Sequence, residues 1–201
     1  MTQFKVHTTD SAPEASQPLL EGARKKMGFV PNLYGTFAEA PALLEAYLTL
    51  GGIFDRSTSF NATERQVVLL STSFENGCEY CMAAHTTIAS MQRVPDEVVQ
   101  AVRSGDPLGD VRLQALASFT RKVVAQRGWV PEADVQEFLD AGFTRAQVLE
   151  VVLGVGMKTL SNYATHLTQT PVDDAFAPNA WERPSPDAAH ECDETCAAGS
   201  H

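Results

Sequence analysis

Apolar residues recur along this chain at helical spacing, and the breaks between them are helix punctuation. Stretches that alternate Val, Ile or Thr between turn residues are nearly absent, so the pattern predicts an all-α protein. Ser11 and Pro13 start a first helix reaching about Met27, where Gly28 stops it, and Val30-Pro31-Asn32 reads as an extended connector. Pro41 opens a segment with Leu43, Leu44, Tyr47, Leu48 and Leu50 on one side, expected to end at Gly51-Gly52. Pro95 and Pro131 mark two further starts, and Asp110 is placed to cap a helix over Val111 to Gln126. From Pro171 the periodicity stops. The expected organisation is one helical domain over 1–178, followed by an acidic, Cys- and His-containing tail over 179–201 that is extended or disordered.

Sliding the chain on itself by 81 residues reveals a weak internal repeat. Thr63 falls on Thr144, Gln66 on Gln147, Val67 on Val148, Ala83 on Ala164 and His85 on His166. Thr63-x-x-Gln66 and Thr144-x-x-Gln147 both read as capping boxes, so each copy is expected to begin a helix at the same point. Asn76-Gly77 breaks the first copy into a helical hairpin whose second arm begins near Cys78. The second copy has Met157-Lys158 at that position, which carries no such break signal.

Composition narrows the function. With 201 residues, 44% hydrophobic and 20% charged, the chain is neither fibrous nor intrinsically disordered as a whole. A formal charge of -10 repels phosphate backbones and anionic lipid heads, so neither nucleic acid nor membrane is an expected partner. Met1 to Asp10 lacks an apolar signal core, and the greasiest stretch, Val148 to Gly156, is too short to span a bilayer and contains Glu150. A cytoplasmic location is expected. Four cysteines in two close pairs, Cys78/Cys81 and Cys192/Cys196, point in a reducing compartment to redox chemistry or metal.

The strongest local signal is Cys78-Glu79-Tyr80-Cys81-Met82-Ala83-Ala84-His85 at a helix start. Cys78 and Cys81 lie one turn apart on one face and His85 one turn beyond, so the three polar groups form a stripe. Two thiols at this separation can close a disulfide, and a helix N-terminus and a neighbouring imidazole both favour a thiolate. The dipole is strongest at Cys78, and the imidazole is nearest Cys81. A dipole at an exposed helix end is worth about 0.3–1 kcal/mol, against about 1.5–3 kcal/mol for a hydrogen bond to a charged group. Cys81 is therefore expected to attack and Cys78, expected to be the more exposed, to resolve and meet an outside reductant. Zinc at Cys78/Cys81/His85 would need a fourth ligand, normally from a second paired set nearby; no metal is assigned. His166 reads as a core or interface histidine before a catalytic one. Tyr34, Phe37 and Tyr47 are core candidates that would also serve as pocket walls. The tail, with His190, Cys192, Cys196 and His201, reads as solvated and acidic, although its thiols and imidazoles are close enough for a soft metal or a disulfide.

Cys-x-x-Cys-x-x-x-His after the helix Thr63-Glu64-Arg65-Gln66, with Val30-Pro31-Asn32 and Asn162-Tyr163, resembles the redox branch of the alkylhydroperoxidase D and carboxymuconolactone decarboxylase superfamily. The resemblance covers about Gly28 to Pro178. It implies an all-helical fold, trimers or hexamers, hydroperoxide reduction by the dithiol, and reduction of the resulting disulfide by a lipoyl-bearing partner. Superfamily decarboxylases lack the cysteine pair. In the alkylhydroperoxidase D pattern a glutamate stands twelve residues before the first cysteine and relays protons; here that residue is Gln66. A hairpin turning at Asn76-Gly77 puts Gln66, about 15 Å before the turn, level with His85, about 12 Å after it. Gln66 orients an imidazole there but takes no proton. Glu64 points elsewhere, which leaves Glu75, Glu79, water or a neighbouring subunit to complete a relay.

The expected activity is a thiol-dependent peroxidase or disulfide reductase acting on hydrogen peroxide or organic hydroperoxides, with Cys81, Cys78, His85 and Gln66 as site residues and no cofactor. The alternatives are a redox or metal sensor without turnover, and a cofactor-free decarboxylase or isomerase on the same fold.

Overall fold

The structure is a computed structural model that describes residues 4–184. Its helices are α1 (Gln17–Met27), α2 (Asn32–Phe37), α3 (Pro41–Ser57), α4 (Ala62–Glu75), α5 (Glu79–Met91), α6 (Asp96–Ser104), α7 (Val111–Ala125), α8 (Glu132–Asp140) and α9 (Arg145–Thr168), with 3-10 turns at Glu14–Ser16 and Ala177–Asn179. No strand occurs among the described residues, as the periodicity predicts.

The helix signals act where expected in most places. Pro41 begins α3, Asp110 accepts a hydrogen bond from Leu113 N at the start of α7, and Gly28 ends α1 with φ 84°. Three departures have physical causes. The first helix opens as a 3-10 turn, and α1 proper starts at Gln17, because the Ser16 hydroxyl turns inward to donate to Ala38 O at 2.8 Å. α3 runs through Gly51-Gly52 to Ser57; the fully buried Phe54 anchors the extra turn, offsetting a helix-interior glycine cost of about 1 kcal/mol per residue. The cap of α4 is Asn61 with Glu64, not Thr63 with Gln66. Asn61 accepts from Glu64 N, and Glu64 accepts from Asn61 N, both at 2.9 Å. Asn61 comes earlier in the chain and is the stronger cap, and Gln66 is thereby released into the interior.

α4 is the central element, with α5, α6, α7 and α9 packed around it. Its run Gln66–Ser73 is buried on every side. Close approach to α9 depends on Gly154, where an added Cβ would lie 2.7 Å from Val68 Cγ1 and 2.8 Å from Phe54 Cε2. Gly77, at φ 65°, turns the chain sharply between α4 and α5, as read from the sequence. The second copy of the repeat keeps its Thr144–Gln147 capping box and stays one continuous helix through Met157-Lys158.

After α9 an arm crosses the surface of α4 and α5. The Asp173 carboxylate accepts from Tyr80 Oη at 2.6 Å and from Asn32 N at 2.9 Å. Further on, Arg103 donates to Asn179 O and Ala180 O, and the Trp181 indole donates to Arg103 O at 2.8 Å. The packed arm thus runs past Pro178 to Trp181, which is 7% exposed. His190, Cys192, Cys196 and His201 lie outside the described residues.

Gly154→Ala should destabilise the fold by about 1–3 kcal/mol, because the new methyl must displace two core side chains. Urea unfolding measures it, and an unchanged midpoint would show that α9 approaches α4 less closely than described.

Candidate active site

Cys78 is the N-cap of α5, Cys81 lies one turn in and His85 one turn further, so the stripe read from the sequence exists. It points into the protein. Cys78 and Cys81 are each 1% exposed, which corrects the expectation that Cys78 is the more accessible. Both are free thiols. The reason for their burial is α9, which lies antiparallel across α5. Thr165 Oγ1 sits 3.2 Å from Cys78 Sγ, and Ser161 Oγ, one turn earlier in α9, sits 3.6 Å from Cys81 Sγ. One further turn back along α9 is Lys158, which this register sets beside Ala84 and His85. Asn162 holds the two copies together by accepting from Asn76 Nδ2 at 2.9 Å, at the hairpin turn.

Lys158 was not singled out from the sequence. It is 1% exposed, and among the described residues no carboxylate forms an ion pair with it. Burial opposes its charge, but the neighbouring sulfurs and Tyr47 favour it, the Cys81 sulfur most, and together they raise its pKa. The reciprocal effect falls on Cys81. Burial by itself pushes that thiol up, but the Cys78 S–H, the Lys158 ammonium and the Ser161 hydroxyl outweigh it and hold Cys81 well below the ordinary thiol range. Cys78 is pushed up, first because its S–H serves Cys81 and then by burial. The two shifts run in opposite directions and favour the thiolate on Cys81 and the thiol on Cys78.

His85 takes a different part from the one expected. Burial, and then the Lys158 charge, push its pKa well below the usual value, so the imidazole is neutral and is not the cation beside Cys81. Its Nδ1 lies 3.1 Å from Gln66 Oε1, while Gln66 Nε2 donates to Gln92 Oε1 at 3.1 Å. The amide is oriented by Gln92 and offers His85 only an acceptor. Nδ1 therefore carries the proton and Nε2 keeps its lone pair. The hairpin arithmetic that set Gln66 level with His85 agrees with this contact. Glu64 points elsewhere and pairs with Arg112 at 3.1 Å, whereas Glu79 is exposed and Glu75 half-buried.

Cys81, His85, Gln66 and Lys158 line one cavity of about 540 Å³. Its walls include Tyr34, Tyr47, Leu48, Ile88 and Met157, and Lys26, Asp55 and Arg56 also border it. Cys78 is absent from the lining, so of the two cysteines Cys81 alone faces a ligand. Phe37 stands behind Tyr47, with ring centroids 5.4 Å apart. His166 is exposed and borders no part of the cavity. Among the described residues no cluster of three or more His, Cys, Asp or Glu side chains is placed to hold a metal, and no helix is long and apolar enough to cross a membrane.

Comparison with known proteins agrees with the fold. Residues 41–117, which contain the whole Cys-x-x-Cys-x-x-x-His segment, match the carboxymuconolactone decarboxylase family. The structure of a peroxidase-related protein from Ralstonia eutropha JMP134, described as an alkylhydroperoxidase AhpD core, superposes with a TM-score of 0.74 at 24% identity, covering 87% of this chain and 93% of that one. A peroxidase-related protein from Silicibacter sp. TM1040 gives the same score and coverage at 20% identity. The debrominase Bmp8, as a Cys-to-Ala variant in complex with 2,3,4-tribromopyrrole, gives 0.75 at 16% identity, covering 89% of this chain and 96% of that one. No curated protein matches the chain. The chain therefore has the alkylhydroperoxidase D-like helical fold, and its segment 41–117 is similar to the carboxymuconolactone decarboxylase family.

Lys158→Met should raise the Cys81 pKa, because removing the cation penalises only the charged form of the thiol. An opposite charge at this range shifts a pKa by about 1–3 units, so alkylation by iodoacetamide at about pH 7 should fall about tenfold or more. In the wild type, alkylation should rise with pH at lower pH than for an ordinary thiol, since Cys81 loses its proton well below the usual thiol range; in the variant it should climb with pH as an ordinary thiol does. Equal rates in both would remove Lys158 as the source of the thiolate.

Proposed function

We propose that this protein is a thiol-dependent hydroperoxide reductase of the two-cysteine kind. The observation that carries the reading is the division of labour at the site: a sulfur held as thiolate faces the cavity, and a protonated partner sulfur one helical turn away is screened from it. The Cys81 thiolate attacks the distal oxygen of a hydroperoxide ROOH, breaking the O–O bond and becoming a sulfenic acid. The His85 Nε2 lone pair accepts a hydrogen bond from the peroxide O–H and aims that oxygen at the sulfur. Cys78 then displaces the sulfenic hydroxyl, forming the Cys78–Cys81 disulfide and releasing water.

An external dithiol completes the cycle. With Cys81 at the cavity wall and Cys78 behind it, the reductant attacks Cys81 and Cys78 leaves, the reverse of the order expected from the sequence. The apolar walls suit a slender dithiol such as a lipoyl chain. The cycle needs no cofactor. Organic hydroperoxides with apolar bodies are favoured over hydrogen peroxide by the same walls. Self-association belongs to this reading as well, supported by the exposed stripe Leu149, Val152, Tyr163 and Leu167 along α9. Light scattering should report a trimer or hexamer, and a monomer would remove that part.

The test is peroxide consumption with cumene hydroperoxide and dihydrolipoamide. Wild type should turn over, and mass spectrometry of the peroxide-treated protein should show the Cys78–Cys81 peptide lighter by two hydrogens. Cys81→Ser should abolish consumption. Cys78→Ala should consume one peroxide per chain and stop as a sulfenic acid that dimedone traps. Persistent free thiols at both positions after peroxide treatment would defeat the proposal, and debromination of a halogenated pyrrole without peroxide consumption would move the thiolate to a different substrate class.

A further inference from the structure

The peroxide step leaves a proton unaccounted for. When Cys81 takes the distal oxygen, the other oxygen departs as an alkoxide or hydroxide and needs a proton inside an apolar cavity. His85 cannot give one: its Nδ1 proton is engaged by Gln66 and its Nε2 carries a lone pair. The Cys78 proton is required for the water released in the second step. Gln66, standing where the resembled pattern has a carboxylic acid, has none to give. Tyr47 borders the cavity, and burial raises its hydroxyl pKa above the ordinary value, which makes it a poor acid.

We propose that Lys158 is the catalytic acid of this step: it lines the same cavity as Cys81, and its ammonium gives a proton to the oxygen that leaves as the Cys81 sulfur is oxidised. The inference rests on the hydroperoxide reductase reading above. Its logic is that of a counter-charge. The described structure gives this buried ammonium no carboxylate, and its negative partner is Cys81. Attack consumes that negative charge and creates a new one on the leaving oxygen, so the lysine loses its reason to stay charged at the moment an acceptor appears. The balance closes without solvent: one thiolate, one thiol, one ammonium and ROOH become one disulfide, one neutral amine, ROH and water. Two electrons pass from the sulfurs to the peroxide, and no net proton is exchanged with the medium. Reduction of the disulfide returns the thiolate and recharges the lysine.

Two measurements on the full chain test this. In weakly buffered solution with a pH indicator, stoichiometric cumene hydroperoxide should convert the reduced protein to disulfide with no net proton uptake, provided that ultraviolet titration shows Cys81 as a thiolate at the starting pH. Uptake of one proton per disulfide that keeps pace with peroxide cleavage, followed by stopped flow, would show that Lys158 stays charged through the step and would overturn the proposal. So would a starting thiol, because the balance written here begins from the thiolate. The second measurement uses Lys158→Arg, which keeps a cation beside the sulfur and cannot give up a proton. Alkylation by iodoacetamide needs the thiolate but no acid, whereas peroxide cleavage needs both. The ratio of the single-turnover peroxide rate to the alkylation rate should therefore fall about 100-fold or more in the variant. An unchanged ratio makes Lys158 an electrostatic support only. If the arginine does not fold, the wild-type proton count still decides the matter. Wild type that alkylates as a thiolate but ignores peroxide would instead defeat the reductase reading, and the inference with it.

Discussion

A buried ammonium must find a negative partner, and in this protein the partner is a sulfur. Removing a lysine from water costs several kcal/mol even after relaxation, and no carboxylate meets Lys158 among the described residues. The Cys81 thiolate supplies the missing charge, while the Cys78 S–H and the Ser161 hydroxyl keep that thiolate solvated inside the fold. The antiparallel register of α9 on α5 serves this contact. It places Thr165, Ser161 and Lys158 successively against Cys78, Cys81 and His85.

That register requires the helices to lie close, and close approach is obtained with small side chains. Gly154 lets α9 sit against Val68 of α4 and Phe54 of α3. The hydroxyls of Thr72 and Ser73 bond back to Val68 O and Leu69 O of their own helix, so these two buried side chains of α4 are satisfied internally. Gln66 belongs to the same economy. With an amide instead of a carboxylate, nothing stabilises an imidazolium at His85, and the ring stays a neutral acceptor beside the lysine. The charge of the site is thus concentrated in one ion pair, with His85 and Gln66 directing hydrogen bonds.

Most of the fold was legible in the sequence because its signals are local. The hairpin at Asn76-Gly77, the Cys78–His85 stripe and the Thr144 capping box each depend on a few adjacent residues with strong conformational preferences. The meeting of Gln66 with His85 followed from counting residues on either side of the turn. What sequence reasoning missed depends on tertiary context. Lysine in a helix is ordinarily solvated, so Lys158 was not singled out; its place at the end of the largely apolar run Val148 to Met157 was the available signal. The α4 cap was misplaced by two residues because Asn61-x-x-Glu64 and Thr63-x-x-Gln66 are overlapping capping boxes, of which the earlier one, with the stronger cap, forms. The stop expected at Gly51-Gly52 failed because Phe54, a long-range contact of the core, holds the next turn in place.

The central claim is that the site of the reduced protein holds one thiolate, on Cys81, paired with Lys158. Ultraviolet titration of thiolate absorbance measures this directly on the wild type and on Cys81→Ser. The account predicts one thiolate per chain at neutral pH, lost at a pH well below the ordinary thiol range, and absent from the variant. A thiolate that appears only near about pH 8.5, as for an ordinary cysteine, or one that survives in Cys81→Ser, would contradict it.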